Sequence, residues 1–291
     1  MEGASRRIAK QPREPLGRAA ASGPRHEHAR RTSQITKVAV LNAMNLAPTD
    51  PFAVRLTGAV HSGALGELAR LLDEQPELAK ARIAGRRGGW RTPLHLAADW
   101  PGYFPNGPAV VRLLIEAGAD PSAPSADGPS ETPLHWAASS DDVEVAVALI
   151  DGGADIEAPG ASIAGGGPLG NAVGYGCWHV ARLLVERGAR VDSLWQAAAL
   201  GIIERVVAFL AADPPPAQEE LDGAFWQACH GGQLRMAELL LARGADMNAI
   251  PDYSEQAPLD VAGSTDTRRG QLVSWLRERG ATPAKGPAPE Q

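Results

Sequence analysis

The sequence predicts an all-α fold: a solenoid of about six to seven stacked helix-loop-helix units with irregular finger loops between them. Three observations carry this expectation. The first is a recurring frame of Leu, then Ala three residues on, then Gly four further on, complete or in part at the anchors Leu56, Leu94, Leu134, Leu169, Leu194, Phe225 and Leu259. Successive anchors lie 38, 40, 35, 25, 31 and 34 residues apart, the spacing of a repeat array. The second is a Gly-Ala-Asp tripeptide at Gly118, Gly153 and Gly244, with variants at Gly188 and Gly280; its glycine falls 19 residues after the anchor in three units. The third is composition. Of the 291 residues 44% are apolar but only 5% aromatic, so the core must be Ala, Leu and Val, which suit closely packed helices in a thin stack.

Residues 1–50 hold Pro, Gly, Ala and Arg without a period, and are expected to be a mostly disordered basic arm. Within it 1–34 reads as disordered, Ile35–Leu46 as a short helix or strand, and Met44 as a second candidate start. The repeat domain is expected over 51–283 and a flexible tail over 284–291. Each unit reads as two short helices. Thr92-Pro93 and Thr132-Pro133 supply an N-cap oxygen and then a proline at the first helical position, where its missing N–H costs nothing. A second helix follows, as in Val143, Val147, Leu149 and Ile150 or Val180, Leu183 and Leu184. It closes on the Gly of Gly-Ala-Asp, which takes the left-handed conformation after a helix end without a Cβ penalty. Unit one lacks the tripeptide and ends in Pro76-Glu77-Leu78-Ala79, as befits a terminal unit. The finger between Gly188 and Leu194 spans six residues against 15 or 16 elsewhere, which predicts a notch between the fourth and fifth units.

Composition also excludes function classes. No run of 18 apolar residues exists, so no membrane span is expected, and the Arg-rich N-terminus lacks the apolar region of a secretory signal. Cys177 and Cys229 are too few for a disulfide framework, which favours a reducing, cytoplasmic location. Arg outnumbers Lys 24 to 4, a codon-bias hint of a GC-rich bacterial genome. Residues 1–50 carry a net charge of +5 and the remainder −11, so nucleic-acid binding by the body is disfavoured. No Cys or His pair has metal-ligand spacing, and no cofactor is expected. Gly165-Gly166-Gly167-Pro168-Leu169-Gly170 matches G-x-G-x-x-G by letter, but no strand precedes it and its end starts a helix, so a dinucleotide site is rejected. Asp141-Asp142 is assigned to a helix dipole rather than to acid-base work.

Thr92-Pro93-Leu94-His95-Leu96-Ala97-Ala98, followed by Val111-x-Leu113-Leu114 and Gly118-Ala119-Asp120, resembles an ankyrin repeat. Thr132-Pro133-Leu134-His135-Trp136-Ala137-Ala138 through Asp155 is a second close match, and the pattern covers roughly residues 53–283. The resemblance implies a stack with projecting hairpin-like fingers that binds other macromolecules and has no catalytic chemistry of its own. It also implies a structural Thr–His hydrogen bond at His95 and His135. Three departures matter. Pro168-Leu169-Gly170 lacks both Thr and His, and Trp195 and Trp226 stand at the His position, so that bond is not expected there. In the family the two residues before the frame's glycine face outward on the concave side. Here those positions include Ser139, Ser140, Tyr175, Leu200, His230 and Gly231.

The longest irregularity, Asp99 to Pro108, inserts five residues between the helices of unit two and carries Trp100, Tyr103 and Phe104. A proline-stiffened aromatic loop suits a recognition hot spot, while the alternative is that its rings fold back as a satellite core. The basic run Lys80, Arg82, Arg86, Arg87 and Arg91 is either a solvated finger or a dock for an acidic segment. The expected function is a non-catalytic, monomeric scaffold binding an unknown protein partner through Trp100, Tyr103, Phe104, Tyr175, Leu200 and His230. The alternative is a small-molecule sensor or enzyme with a pocket near Trp100–Phe104 and Tyr175.

Overall fold

The computed structural model describes residues 44–85, 88–126, 130–263 and 270–284. Of the arm expected over 1–50, residues 1–43 lie outside them while 44–50 hold a short strand and a turn, and residues 285–291 of the tail lie outside as well. Among the described residues fourteen helices form seven consecutive pairs. The first helices are α1 (Pro51–Ser62), α3 (Pro93–Ala97), α5 (Pro133–Ser139), α7 (Pro168–Gly174), α9 (Leu194–Leu200), α11 (Gln218–His230) and α13 (Pro258–Gly263). Their partners are α2 (Leu65–Glu74), α4 (Gly107–Glu116), α6 (Val143–Asp151), α8 (Trp178–Glu186), α10 (Ile203–Leu210), α12 (Leu234–Ala242) and α14 (Gly270–Glu278). The stack is all-α apart from a three-stranded patch at its start. There β1 (Asn45–Leu46) runs parallel to β2 (Arg82–Ala84), which pairs antiparallel with β3 (Trp90–Arg91). The first finger is therefore a hairpin, and unit one closes on a 3-10 turn at Pro76–Lys80.

The Leu-Ala frame forms the spine of the core. Leu56, Leu94, Leu134, Leu169, Leu194 and Phe225 are buried, and so is the alanine three residues after each anchor, including Ala262 after the half-buried Leu259. A small residue at that position lets adjacent units approach closely, and each unit hides its apolar face against the next. Helix starts follow the capping expectation. In α3 and α5, Thr92 and Thr132 close capping boxes with His95 and His135, and Pro93 and Pro133 take the first position. The Thr92 N–H donates to His95 Nδ1 at 3.2 Å, and His95 Nε2 donates to the Glu131 carbonyl of the next unit at 3.0 Å. His135 repeats this with Thr132 and the Gly166 carbonyl. Each imidazole thus joins its own unit to its successor. Helix ends follow too: Gly118, Gly153, Gly188, Gly244 and Gly280 all have φ between +86° and +97°.

The aspartate of Gly-Ala-Asp has a role that spacing alone does not reveal. Its carboxylate accepts the N–H two residues on, and that residue's side chain then accepts the backbone N–H at the equivalent position one unit later. Asp120 turns Ser122, whose Oγ accepts from Asp155 N at 2.8 Å. Asp155 turns Glu157, whose carboxylate accepts from Arg190 N at 2.8 Å, and Asp246 turns Asn248, which accepts from Thr282 N at 2.9 Å. A side-chain ladder thus runs along the bases of the fingers.

The break in the finger row is wider than the spacing predicts. The connector 187–193 is short as expected, but so is 211–217, because the residues available for the next finger wind into the first turns of the 13-residue α11. Glu220 caps that extension by accepting the Ala217 N–H at 2.9 Å, and Asp222 within it accepts from Asp246 N at 2.7 Å, restarting the ladder.

Candidate functional site

The insertion after α3 bridges three units. Asn106 Nδ2 donates to the Gly63 carbonyl of unit one at 3.0 Å, and Phe104 stacks on His61 with centroids 4.4 Å apart. Pro105 lies so close to Gly63 that a Cβ there would sit 1.9 Å from its carbonyl oxygen; only glycine allows this crossing. Toward unit three, the Tyr103 N–H donates to Asp142 Oδ2 at 2.6 Å and its hydroxyl donates to the Asp141 carbonyl. Burial, then the Asp141 and Asp142 charges, hold the Tyr103 phenol above its ordinary pKa. Trp100 follows Asp99, whose carboxylate binds Arg91 at 3.1 Å. The fold-back alternative therefore fits one ring of the three. Phe104 is half-buried and folds back, whereas Trp100 and Tyr103 stay 79% and 61% exposed on a pinned loop.

The other sequence-predicted residues fall at the C-terminal ends of the first helices. Tyr175, 53% exposed, touches Ser162 Oγ through its hydroxyl at 3.1 Å. Leu200 is half-buried. His230, also half-buried, reaches past unit five to pack against Trp178 at 5.0 Å and lies 5.2 Å from Trp226, which in turn meets exposed Tyr253. Trp178, Trp226 and Tyr253 thus extend an aromatic line that single-position reasoning missed. Gly231 does not face outward: a Cβ there would meet the Ala199 carbonyl at 2.0 Å, so it is pressed into the joint with unit five. Two residues of the basic run are engaged within the chain. Arg82 lies over Trp90, Arg91 binds Asp99, and Arg86 and Arg87 fall outside the described residues.

One cluster has the residue types of nucleophilic catalysis. Asp141 Oδ2 lies 2.7 Å from His179 Nδ1, two residues beyond Cys177. The thiol is the wrong kind, however. It is buried, donates to the Ser139 carbonyl at 3.3 Å, and burial pushes its pKa up to about 11, so it stays protonated where a nucleophile needs the thiolate. Asp142, the neighbouring carboxylate, caps α6 by accepting from Val145 N at 3.1 Å, the helix-terminus role expected for the pair. Neither of two surface cavities involves the aromatic residues of the insertion. One, of about 480 Å³, lies between α4 and α6; the other, of about 320 Å³, lies beside the short connector before α9. Among the described residues no group of three or more His, Cys, Asp or Glu is placed to hold a metal ion, and no helix is long and apolar enough to cross a membrane.

Comparison with known families finds three ankyrin repeat copies over residues 94–193 and a further ankyrin repeat over 224–252. The chain contains ankyrin repeats. No curated protein matches the chain. Among solved structures it is similar to the ankyrin repeat domain of Bcl-3, described as a unique member of the IkappaB protein family, at 27% identity and a TM-score of 0.44. That similarity covers 77% of this chain and 97% of the other.

Where this ankyrin stack departs from the family pattern, other side chains take over. Trp226 stands at the His position, with Gly223 where the threonine would be. Its indole N–H nevertheless donates to the Gln256 carbonyl at 2.8 Å, the same carbonyl position that His95 reaches in its neighbour. In unit four, fully buried Asn171 donates to Glu131 at 2.7 Å and to Ser139 at 3.2 Å, and accepts from Ser162 and the Ile163 N–H. This network fixes the neighbourhood of Tyr175. The signal for it was a polar residue inside the apolar stripe of α7, between Leu169 and Ala172.

Proposed function

We propose that this ankyrin stack is a non-catalytic scaffold that binds a protein partner through its concave face and fingers, with Trp100, Tyr103 and Tyr175 as anchors. The observation that carries the reading is that these large rings are exposed while their loops are already fixed, by Asp142, Asp141 and Ser162. A side chain ordered before contact loses less entropy on binding, and tyrosine and tryptophan dominate interface hot spots. The protonated state of Cys177 and the lack of any histidine or cysteine lining either cavity favour binding over catalysis. We also read the chain as cytoplasmic and monomeric; two separate buried thiols fit a reducing compartment.

The test is a quantitative pull-down from a native lysate with the wild-type chain and a Trp100→Ala/Tyr175→Ala variant. Both changes lie on exposed rings, so the fold should persist by circular dichroism. Loss of two hot spots of about 2 kcal/mol each should cut recovery of the captured protein by more than tenfold. Undiminished recovery with the folded variant overturns the assignment of these anchors.

A further inference from the structure

The ladder at the finger bases has a vacant rung. Ser122, Glu157 and Asn248 each receive a backbone N–H from the following unit. The residue in the same place after Arg190 is Asp192, and no finger follows to donate to it. On the side of the preceding finger the short connector leaves a cavity of about 320 Å³ beside 189–196, which Asp192 also lines. Ile156, Ile163 and Trp195 line it. Ser193 lines it too, and its Oγ is buried without a hydrogen-bond partner although the residue stands at the N-cap of α9. Glu157, Arg190 and Asp192 supply two carboxylates against one guanidinium, and Asp192 stays 63% exposed with its carboxylate 3.6 Å from Arg190.

Resting on the scaffold reading above, we propose that a partner supplies the missing finger: an extended polypeptide segment docks in the notch. It donates a backbone N–H to the Asp192 carboxylate and sets one large apolar side chain against Ile156, Ile163 and Trp195. A lysine or arginine beside that side chain answers the surplus carboxylate on the rim. Size favours this occupant. The volume is at the lower end of ligand pockets, about 300–1,000 Å³, which suits a single side chain and not a folded domain. An extended segment also presents its N–H groups at the spacing that strand-like recognition uses, with main-chain bonds giving affinity and a pocket giving specificity.

The experiment is an anisotropy titration of the full chain against labelled hexapeptides, acetylated and amidated, with Leu, Ile, Phe or Trp at the third position and Lys or Ser elsewhere. Lysine-flanked apolar peptides should bind with Kd below about 100 µM and serine-flanked ones more weakly. Gly166 lines the notch and a Cβ there meets nothing within 4 Å, so Gly166→Leu should fold and weaken binding at least tenfold. Asp192→Asn should weaken it severalfold and remove the lysine preference, while Trp100→Ala/Tyr175→Ala leaves it unchanged. The proposal is overturned if no peptide binds with Kd below about 1 mM, or if Gly166→Leu binds as the wild type does. Peptide binding lost only in Trp100→Ala/Tyr175→Ala would move the site to the aromatic face, sinking the notch and leaving the scaffold standing. A pull-down partner lost only in Gly166→Leu would support the notch and remove the aromatic anchors.

Discussion

A buried imidazole stays neutral because its charged form loses water without gaining a partner, and His95 is such a group. Burial lowers its pKa from 6.5 to about 4, and burial lowers those of His135 and His61 in the same direction. The folded value lies below the unfolded one. The stability it contributes is therefore complete above pH 6.5 and is lost as pH falls toward 4, by about 3 kcal/mol for His95. Urea unfolding midpoints should drop between pH 7 and 4.5. His95→Gln keeps the Thr-x-x-Gln capping pattern and should flatten that slope; an unchanged slope would show that the imidazole is not its source. Gly153 tests the backbone. With φ at +92° and nothing within 4 Å of a Cβ, Gly153→Val should cost about 1–2 kcal/mol through conformation alone, read as a lower denaturation midpoint.

Among the elements, the 98–106 insertion and α6 share one residue. Asp142 is 1% exposed; one oxygen caps α6 at Val145 N and the other holds the Tyr103 N–H. Asp142→Ala should cost about 2–3 kcal/mol, a lost cap plus an orphaned donor. It should also expose Tyr103 and Phe104 to chymotrypsin, with cleavage there faster than in the wild type. Legibility differed between elements for physical reasons. α5 and α6 stood out because cap, proline, apolar stripe and terminal glycine all agree over Thr132–Gly153. The start of α11 was hidden because Gln218-Glu219-Glu220 has no apolar period and its cap is the reciprocal bond from Glu220 rather than a Ser or Thr. The division of the insertion into inward Phe104 and outward Tyr103 depends on His61 and Asp142, 43 and 39 residues away in the chain, which no local pattern encodes.

Across the whole molecule, stability in a stack is a sum of units and their interfaces, so the weakest link sets where it opens. Unit five is that link. Within α10 the one buried side chain is Val206, while Ile203 and Val207 stand exposed, and the finger ladder skips the rung across this unit, after Asp192. Amide hydrogen exchange should be faster in α10 than in α6 or α12, and equal protection would contradict a weak fifth unit. The bonds between neighbours carry a further asymmetry. Early units grip their successors through imidazoles, whereas the sixth uses an indole, which has no basic nitrogen to take up a proton. Acidification therefore puts a buried charge into the second and third units, where a protonated Nδ1 no longer accepts its own threonine's N–H, and spares the sixth, so that at low pH the array comes apart from its amino end.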